Sequence, residues 1–161
     1  MNQFKIFTGG VLDTNYFLYA APEGNILFDA PQGADATLAD TRIDLLLLTH
    51  GHFDHIADAA AIVERHGCQV GYHADTRPMT EDENYFRQWG FALEIETFAA
   101  DFLIDEGTRD FLGLPVTSLH VPGHCPGSLC FLLPKENALV GGDVLFQGGI
   151  GRWDLPGGDR E

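Results

Sequence analysis

The sequence is poor in positively charged side chains. Its 161 residues include 9 Lys and Arg against 24 Asp and Glu, which gives a formal net charge of −15. A chain this acidic repels nucleic acids and anionic membrane surfaces, so we expect neither as a partner. Metal cations are not excluded, because they would neutralise part of this charge.

Cysteines and long apolar runs are also scarce. Three Cys without a Cys-x-x-Cys spacing cannot build a disulfide framework, which favours a reducing compartment. No cationic segment followed by a long apolar one occurs near Met1, so we expect no signal peptide. The purest apolar run, residues 45–48, is too short to span a bilayer. We therefore expect a cytoplasmic protein.

Length and composition indicate one folded domain. The chain is 45% hydrophobic and 20% charged, as globular proteins are, and no linker or repeat divides it. We therefore treat residues 1–161 as a single domain. The glycine-rich end, from Gly141 onward, supplies no terminal element to close a core, so we expect a fold that is incomplete at its C-terminus.

Short apolar segments between Gly, Pro, Asp and Asn predict a β-rich chain of the α/β (α+β) class. Residues 15–20 and 25–29 flank Pro22-Glu23-Gly24 and predict a hairpin. The apolar run 43–49 predicts a buried strand, and residues 54–66 predict a helix capped by Asp54 and ended by Gly67. The other predicted elements are helices 34–41 and 82–89 and strands 69–72, 101–104, 109–111, 115–121, 128–133 and 138–140.

The strongest chemical signal is the segment Thr49-His50-Gly51-His52-Phe53-Asp54-His55, at the predicted exit of a strand. His50 and His52 are two residues apart, so in extended backbone they point to the same side. Asp54 and His55 follow at the start of the predicted helix and can reach a neighbouring point. Imidazole nitrogens and carboxylate oxygens bind Zn²⁺, Fe²⁺ or Mn²⁺, so the segment predicts a metal site.

Two later residues extend this prediction. His124 follows a predicted strand in a turn that Pro122 and Gly123 make rigid. Asp143 follows an apolar strand and two glycines, and a carboxylate at such a strand end can bridge two cations about 3.5–4 Å apart. Together with the first cluster, they are interpreted as metal ligands. The remaining histidines are interpreted as structural: His66, His73 and His120.

These residues resemble the motifs of the metallo-β-lactamase superfamily. Residues 49–55 resemble its Thr-His-x-His-x-Asp-His signature, Pro122-Gly123-His124 its second motif and Gly142-Asp143 its third. The resemblance implies an αββα sandwich that holds two divalent metal ions at one edge of its sheets, with zinc expected first and iron or manganese as alternatives. The implied ligands are His50, His52 and His124 for metal one, Asp54 and His55 for metal two, and Asp143 between them.

The resemblance is incomplete. Members of the superfamily usually continue to a final Pro-Gly-His turn, whose His is the last ligand of metal two, but no His follows His124 here. Either the chain is a fragment or a truncated reading frame, or Asp54, His55 and Asp143 hold metal two alone. Of these, we favour the fragment or truncated frame.

Two further residues have roles implied by resemblance. Residues 148–159 resemble the Gly-x-Gly-Arg-x-Asp loop of small glyoxalase II-like hydrolases, which implies that Arg152 binds a substrate carboxylate. The alternative is that Arg152 pairs with Asp154 or Asp159. Asp29 resembles the Asp of an early Asp-Pro-Gly motif, which implies that it orients a ligand His by a hydrogen bond. The alternative is an ordinary turn residue.

The resemblance implies a metal-dependent hydrolase that uses a metal-bound hydroxide, with Asp54 orienting the nucleophile or moving its proton. The expected substrate is a small molecule, a thioester such as an S-2-hydroxyacylglutathione. Two alternatives stay open. One is a persulfide dioxygenase with a single Fe²⁺ on His50, His124 and Asp143. The other is a non-catalytic, truncated remnant, whose exposed sheet edge would favour a homo-oligomer or pairing with another chain.

Overall fold

Short β-strands joined by tight turns make up most of the computed structural model, which describes residues 3–92 and 94–159. Within these residues the strands are β1 (Phe4–Gly9), β2 (Thr14–Ala21), β3 (Gly24–Phe28), β4 (Leu45–Leu47), β5 (Gln69–Tyr72), β6 (Phe102–Leu103), β7 (Gly107–Phe111), β8 (Leu114–His120), β9 (Leu129–Leu133), β10 (Ala138–Val140), β11 (Leu145–Phe146) and β12 (Gly149–Ile150). The α-helices are α1 (Ala34–Thr37), α2 (Phe53–Ile56), α3 (Ala59–His66), α4 (Arg77–Glu81) and α5 (Tyr85–Gln88). The predicted α/β class is confirmed.

The strands form two main sheets and a small hairpin. The first sheet has the order β1-β2-β3-β4-β5-β6, and the second has the order β10-β9-β8-β7. In the first sheet, β1 to β3 are antiparallel, whereas β4, β5 and β6 run parallel to β3. The second sheet is antiparallel throughout, and β11 pairs with β12 separately.

The predicted hairpin is confirmed and forms β2 and β3. Their register pairs Ala21 with Gly24 across the turn. Gly24 has a φ of 156°, and a Cβ at this position would lie 2.7 Å from a carboxylate oxygen of Asp44. That oxygen accepts a hydrogen bond from the backbone N–H of Asn25 at 2.9 Å. The turn therefore requires glycine and is held by the segment that leads into β4.

Strand β4 is the centre of the parallel part of the first sheet. Leu45, Leu46 and Leu47 are all buried, as expected for a strand with both faces covered. Because β3, β4 and β5 are parallel, the segments that follow them leave the sheet at the same edge. Asp29 follows β3 and the histidine-rich segment follows β4, so the topology brings them together at this edge.

Two apolar cores hold the layers together. The first lies between the helices and one face of the first sheet, and each of the five α-helices contributes a buried side chain to it. The second lies between the two sheets, where Phe28 and Phe131 meet with ring centroids 5.4 Å apart. In the described residues the layers are therefore helices, first sheet and second sheet.

The prediction of one continuous helix over residues 54–66 is wrong: the structure has two helices there, α2 and α3. Asp58 lies between them with φ −104° and ψ 8°, and its N–H donates to the carbonyl oxygen of Ala30 at 2.9 Å. Its carboxylate accepts hydrogen bonds from the N–H groups of Gly33 (2.8 Å) and Asp35 (3.0 Å). These bonds compete with helical ones and bend the chain. The helix end at Gly67, with φ 60°, is confirmed.

Other boundaries also differ from prediction. The helix predicted at 34–41 is limited to Ala34–Thr37, and the one predicted at 82–89 to Tyr85–Gln88. Three observed elements were not predicted: Phe4–Gly9, Arg77–Glu81 and the hairpin of β11 and β12. In the part of the chain that the structure describes, no helix has both the length and the apolar character needed to cross a membrane.

Candidate metal centre

The histidine-rich segment lies in a narrow space at the edge of the first sheet. It leaves β4, passes Gly51 and enters α2 at Phe53. A Cβ on Gly51 would lie 2.7 Å from the Cβ of Met79, which belongs to α4. Because Gly51 has no side chain, the histidine-rich segment can pack closely against α4. A larger residue at this position would push the segment away from α4.

One group of ligand atoms comes from His50, His52 and His124, which each offer a nitrogen within 4.8 Å of the others. The Nδ1 atom of His52 lies 2.8 Å from the Nε2 atom of His124. The three ring planes stand at 79° to 83° to one another, with centroids 4.5–4.9 Å apart. This is an arrangement of rings that face a common point rather than a stack.

Hydrogen bonds hold two of these rings in one orientation. The hydroxyl of Thr49 donates to Asp29 at 2.7 Å, so it accepts from Nδ1 of His50 at 3.0 Å. Nδ1 of His124 donates to the carbonyl oxygen of Arg152 at 2.8 Å. Each ring thus carries its proton on Nδ1, and Nε2 is left with a lone pair.

The Nε2 atom of His50 is the test of whether a metal ion fits here. It is buried and has no hydrogen-bond partner among the described residues. A buried polar atom without a partner costs about 1–3 kcal/mol. A divalent ion held by this lone pair and by His52 and His124 removes that cost, and neutral imidazoles are suitable ligands. The residues present therefore fit a metal ion.

A second group shares His50 and adds His55 and Asp143, again with ligand atoms within 4.8 Å. Nε2 of His55 lies 3.1 Å from Oδ1 of Asp143 and 3.5 Å from Oδ2 of Asp54. Its Nδ1 lies 2.8 Å from Oδ2 of Asp29. Because His50 belongs to both groups, the two candidate ion positions are adjacent.

The position of the Asp143 carboxylate depends on Gly142, the residue before it. Gly142 has a φ of 49°, and a Cβ there would lie 2.5 Å from the hydroxyl oxygen of Thr49. The close approach lets the turn after β10 pack against the end of β4. Asp143 then points its Oδ2 to within 3.6 Å of Nε2 of His124. This carboxylate therefore contacts His55 with one oxygen and approaches His124 with the other.

The electrostatics divide the histidines into two kinds. Burial, aided by the neighbouring His55, lowers the pKa of His50 well below its usual value. Burial and the proximity of His124 lower the pKa of His52 to about 3. At neutral pH both rings are therefore uncharged, and each has a lone pair available to a metal ion.

His55 behaves differently. Burial opposes its charged form, but the Asp29 carboxylate and the hydrogen bonds to Asp143 and Asp29 outweigh burial and raise the pKa of His55 to about 10. Burial raises the pKa of Asp143, but the hydrogen bond from His55 and the charges of His55, His124 and His52 together outweigh burial and lower this pKa. A metal ion bound between these two residues would take the place of the His55 proton.

The structure brings most of the predicted site residues together. His50, His52, His55, His124 and Asp143 converge as described, and their roles as ligands stay a prediction. Asp54 lies at the rim, where its Oδ2 accepts a hydrogen bond from the hydroxyl of Thr14 at 2.8 Å. Asp54 does not cap a helix as predicted: His52 occupies the N-cap position of α2.

Asp29 and Arg152 contact different histidines of this cluster. Asp29 is 1% exposed and contacts His55, which is the contact that an orienting role requires. Arg152 contributes its carbonyl oxygen to His124, while its guanidinium donates two hydrogen bonds to Asp154, at 2.7 and 2.8 Å. Binding of a substrate carboxylate by Arg152 stays a prediction.

Sequence reasoning missed the contribution of Thr49, whose hydroxyl joins Asp29 to His50. The one sequence signal for this role was that Thr49, which has a hydroxyl group, directly precedes His50. The rings of His73 and His120, interpreted as structural, are stacked with centroids 3.8 Å apart. They also form a third group of candidate ligand atoms with Asp75. Nε2 of His120 donates to the carbonyl oxygen of Pro126 at 2.8 Å, which fixes the ring.

The fold and this cluster define a class of metal-dependent enzymes, and the comparison with known families identifies it. The family model of the metallo-beta-lactamase superfamily matches residues 9–161, so the chain belongs to this superfamily of metallo-hydrolases, which bind divalent metal ions. The predicted fold is confirmed by solved structures. The crystal structure of BLEG-1 B3 metallo-beta-lactamase matches with a TM-score of 0.88 and 33% identity, over 97% of this chain and 79% of that chain.

Three similar proteins have names that describe different activities or metals. The chain is 38% identical over 119 residues to the probable metallo-hydrolase YqgX of Bacillus subtilis (72% of this chain, 56% of the relative). It is 37% identical over 125 residues to the hydroxyacylglutathione hydrolase GloC of Haemophilus influenzae (76% and 59%). The structure of TTHA1623 in a di-iron-bound form matches with a TM-score of 0.84 and 35% identity, over 96% and 79%. The matched regions thus span little more than half of these two curated relatives.

Proposed function

We propose that this chain binds two divalent metal ions at the His/Asp cluster and hydrolyses a thioester such as an S-2-hydroxyacylglutathione. The observation that carries the proposal is the convergence of two groups of ligand atoms on His50, whose Nε2 is buried and has no hydrogen-bond partner among the described residues. The similarity to a hydroxyacylglutathione hydrolase supports the choice of substrate.

The proposed ligands differ from the two groups of ligand atoms at two residues. His50 has one free lone pair and is assigned to one ion, and Asp54 is added because its Oδ2 lies 3.5 Å from Nε2 of His55. His50, His52 and His124 would hold one ion, while His55 and Asp54 would hold the other, with Asp143 between the two. Nitrogen-rich sites of this kind suit zinc, with iron or manganese as alternatives. When bound, the ions supply hydroxide at neutral pH by lowering the pKa of water, and they polarise the substrate carbonyl.

The reaction consumes one water molecule. Water oxygen adds to the carbonyl carbon of the thioester, the C–S bond breaks, and the sulfur leaves as a thiol after gaining a proton. Asp54 would orient the water and accept its proton, because Thr14 fixes its carboxylate at the rim through the 2.8 Å hydrogen bond. Arg152 would bind a carboxylate of the thiol part by exchanging it for Asp154.

The proposal is tested by measuring thiol release from S-lactoylglutathione, with protein purified without chelator and then supplied with Zn²⁺, Mn²⁺ or Fe²⁺. We expect hydrolysis that requires metal and is lost in His50→Ala. His66→Ala is the matched control, because His66 lies at the far end of α3 and should leave the rate unchanged. Hydrolysis by wild-type protein that survives in His50→Ala would contradict the proposal.

A mononuclear-iron persulfide dioxygenase is the second candidate. His124 and Asp143 approach each other to 3.6 Å and both lie near His50, so these three residues suffice for one Fe²⁺. This activity predicts one iron per chain and oxygen uptake with glutathione persulfide. Thiol release without oxygen uptake rejects it. A chain that binds metal but does neither reaction would be a non-catalytic remnant.

A further inference from the structure

A cavity of about 470 Å³ reaches the His/Asp cluster. His52, Asp54, His124 and Asp143 form its polar floor, and nearly all of the remaining lining is apolar. This volume lies within the range of small-molecule sites, which bind a ligand through apolar walls and a few polar groups. The cavity therefore places an apolar wall next to the proposed reacting atoms.

Aromatic side chains from α2, α5 and the segment after α5 build one wall. Phe53 packs against Phe86 and Phe91, each with ring centroids 6.2 Å away. Tyr85 continues the wall to Trp89, 6.5 Å away between centroids. Trp89 is 50% exposed and Phe91 is 40% exposed, although both are large apolar residues beside a cavity. Contiguous exposed apolar surface of this kind indicates a binding site.

Two other elements of the fold add apolar side chains to the cavity lining. Leu12, in the turn between β1 and β2, and Phe146, in β11, both line the cavity and are exposed to 60% and 48%. An apolar group of the size of a phenyl ring can therefore contact aromatic or aliphatic side chains from several elements of the fold. Such contacts favour aromatic ligands beyond the effect of buried area alone.

Among the described residues, the aromatic part of the cavity lining has no charged side chain that could bind an anionic acyl group. Among the cavity-lining residues in the described part of the chain, Arg152 is the one Lys or Arg, and its guanidinium is hydrogen-bonded to Asp154. Asp54 and Asp143 would ligate the proposed ions, so their charge is not available to the aromatic wall either. The wall around Trp89 and Phe91 thus offers apolar contact and no positive charge.

From these observations we infer that the substrate is a thioester with an aromatic or bulky apolar acyl side chain, which the wall of Phe53, Trp89 and Phe91 binds. The inference rests on the proposed thioester hydrolysis and narrows its substrate class. The wall selects a phenyl group over a methyl group at the carbon that follows the carbonyl, and the thiol part occupies the side nearer Arg152.

The test compares two thioesters that share their thiol and differ by one group. S-Mandeloylglutathione has a phenyl group where S-lactoylglutathione has a methyl group. We expect kcat/KM for the mandeloyl thioester to be at least about tenfold higher, as filling an apolar pocket typically gives. Equal values, or a preference for the lactoyl thioester, would overturn the inference while leaving thioester hydrolysis intact.

Two variants test whether the preference for the phenyl group arises from the aromatic wall. Phe91→Ala should lower the mandeloyl-to-lactoyl ratio at least about fivefold, because it removes half of the exposed aromatic pair. Leu139→Ala, on β10, should leave the ratio unchanged, since Leu139 is 43% exposed, much like Phe91, but does not line the cavity. Circular dichroism confirms that both variants fold. An unchanged ratio in Phe91→Ala would assign the preference to another part of the molecule.

A binding measurement keeps the inference testable if neither thioester is hydrolysed. Titration calorimetry with S-benzylglutathione and S-ethylglutathione compares a phenyl with a methyl group on the same carbon without requiring a reaction. Tighter binding of the benzyl compound by about tenfold or more, reduced in Phe91→Ala, would support the aromatic wall although the proposed function had failed. Equal affinities would overturn the inference.

Discussion

Asp29 gives the sharpest prediction about how the cluster is built. Its buried carboxylate accepts hydrogen bonds from the N–H and the hydroxyl of Thr49, both at 2.7 Å, and from Nδ1 of His55 at 2.8 Å. Asp29→Ala removes all three acceptor contacts at once. Each buried donor left without a partner costs about 1–3 kcal/mol, so we expect the free energy of unfolding to fall by roughly 3–6 kcal/mol.

Asp29→Asn should have a smaller effect. An amide keeps one oxygen for the N–H of Thr49 and tolerates the positive φ of 62° found at this position. It lacks the second oxygen and the charge that hold His55. The expected order of stability is wild type, then Asp29→Asn, then Asp29→Ala. Asp40→Ala is the control, because Asp40 is exposed and its loss should change stability by less than about 0.5 kcal/mol.

Urea unfolding of metal-free protein at pH 7 measures these differences. The loss predicted for Asp29→Ala is a large share of the roughly 5–15 kcal/mol that stabilises a typical domain. A second readout is metal affinity, which should fall about 10–100-fold because His55 and His50 lose their orientation. If Asp29→Ala were within about 1 kcal/mol of wild type and bound metal equally well, the reasoning about the Asp29, Thr49 and His55 contacts would be refuted.

Gly142→Ala is expected to destabilise the protein by about 2–4 kcal/mol in urea unfolding, because the new Cβ would lie 2.5 Å from the Thr49 hydroxyl at a positive φ. Gly149→Ala, with open space around the new Cβ, should cost little, and an equal loss in both would contradict this. Burial raises the pKa of Cys68 and of Cys125 to about 11, so a thiol reagent at pH 8 should modify them only after denaturation. In the unfolded chain these thiols lose their protons once the pH exceeds their usual pKa of 9.0, whereas in the folded protein they stay protonated up to about pH 11. Stability should therefore fall as pH rises from 9 to 11, and this fall should be smaller in Cys125→Ala.

The ligand cluster was largely predictable because its information is local. His50, His52 and His55 follow one buried strand within six positions, and such a strand has few ways to leave a sheet. His124 and Asp143 were predicted from turns that Pro and Gly restrict. For the strands at 69–72 and 138–140, the apolar pattern even gave the observed bounds.

The remaining features depend on tertiary contacts that no local pattern contains. The break at Asp58 arises because distant N–H groups of Gly33 and Asp35 bind its carboxylate. The aromatic wall forms only when α5 packs beside α2, which brings Phe86 to Phe53. Arg152 could be assigned to the site by resemblance, but its pairing with Asp154 is decided by side-chain geometry.

Metal content per chain is the most direct test of the central claim. Elemental analysis of protein purified without chelator should find about two divalent ions per chain, and His50→Ala should lose at least one of them, because Nε2 of His50 would hold the first ion. One iron per chain would favour the dioxygenase instead. A wild-type chain that binds no metal, even after incubation with Zn²⁺, Mn²⁺ or Fe²⁺, would contradict the account.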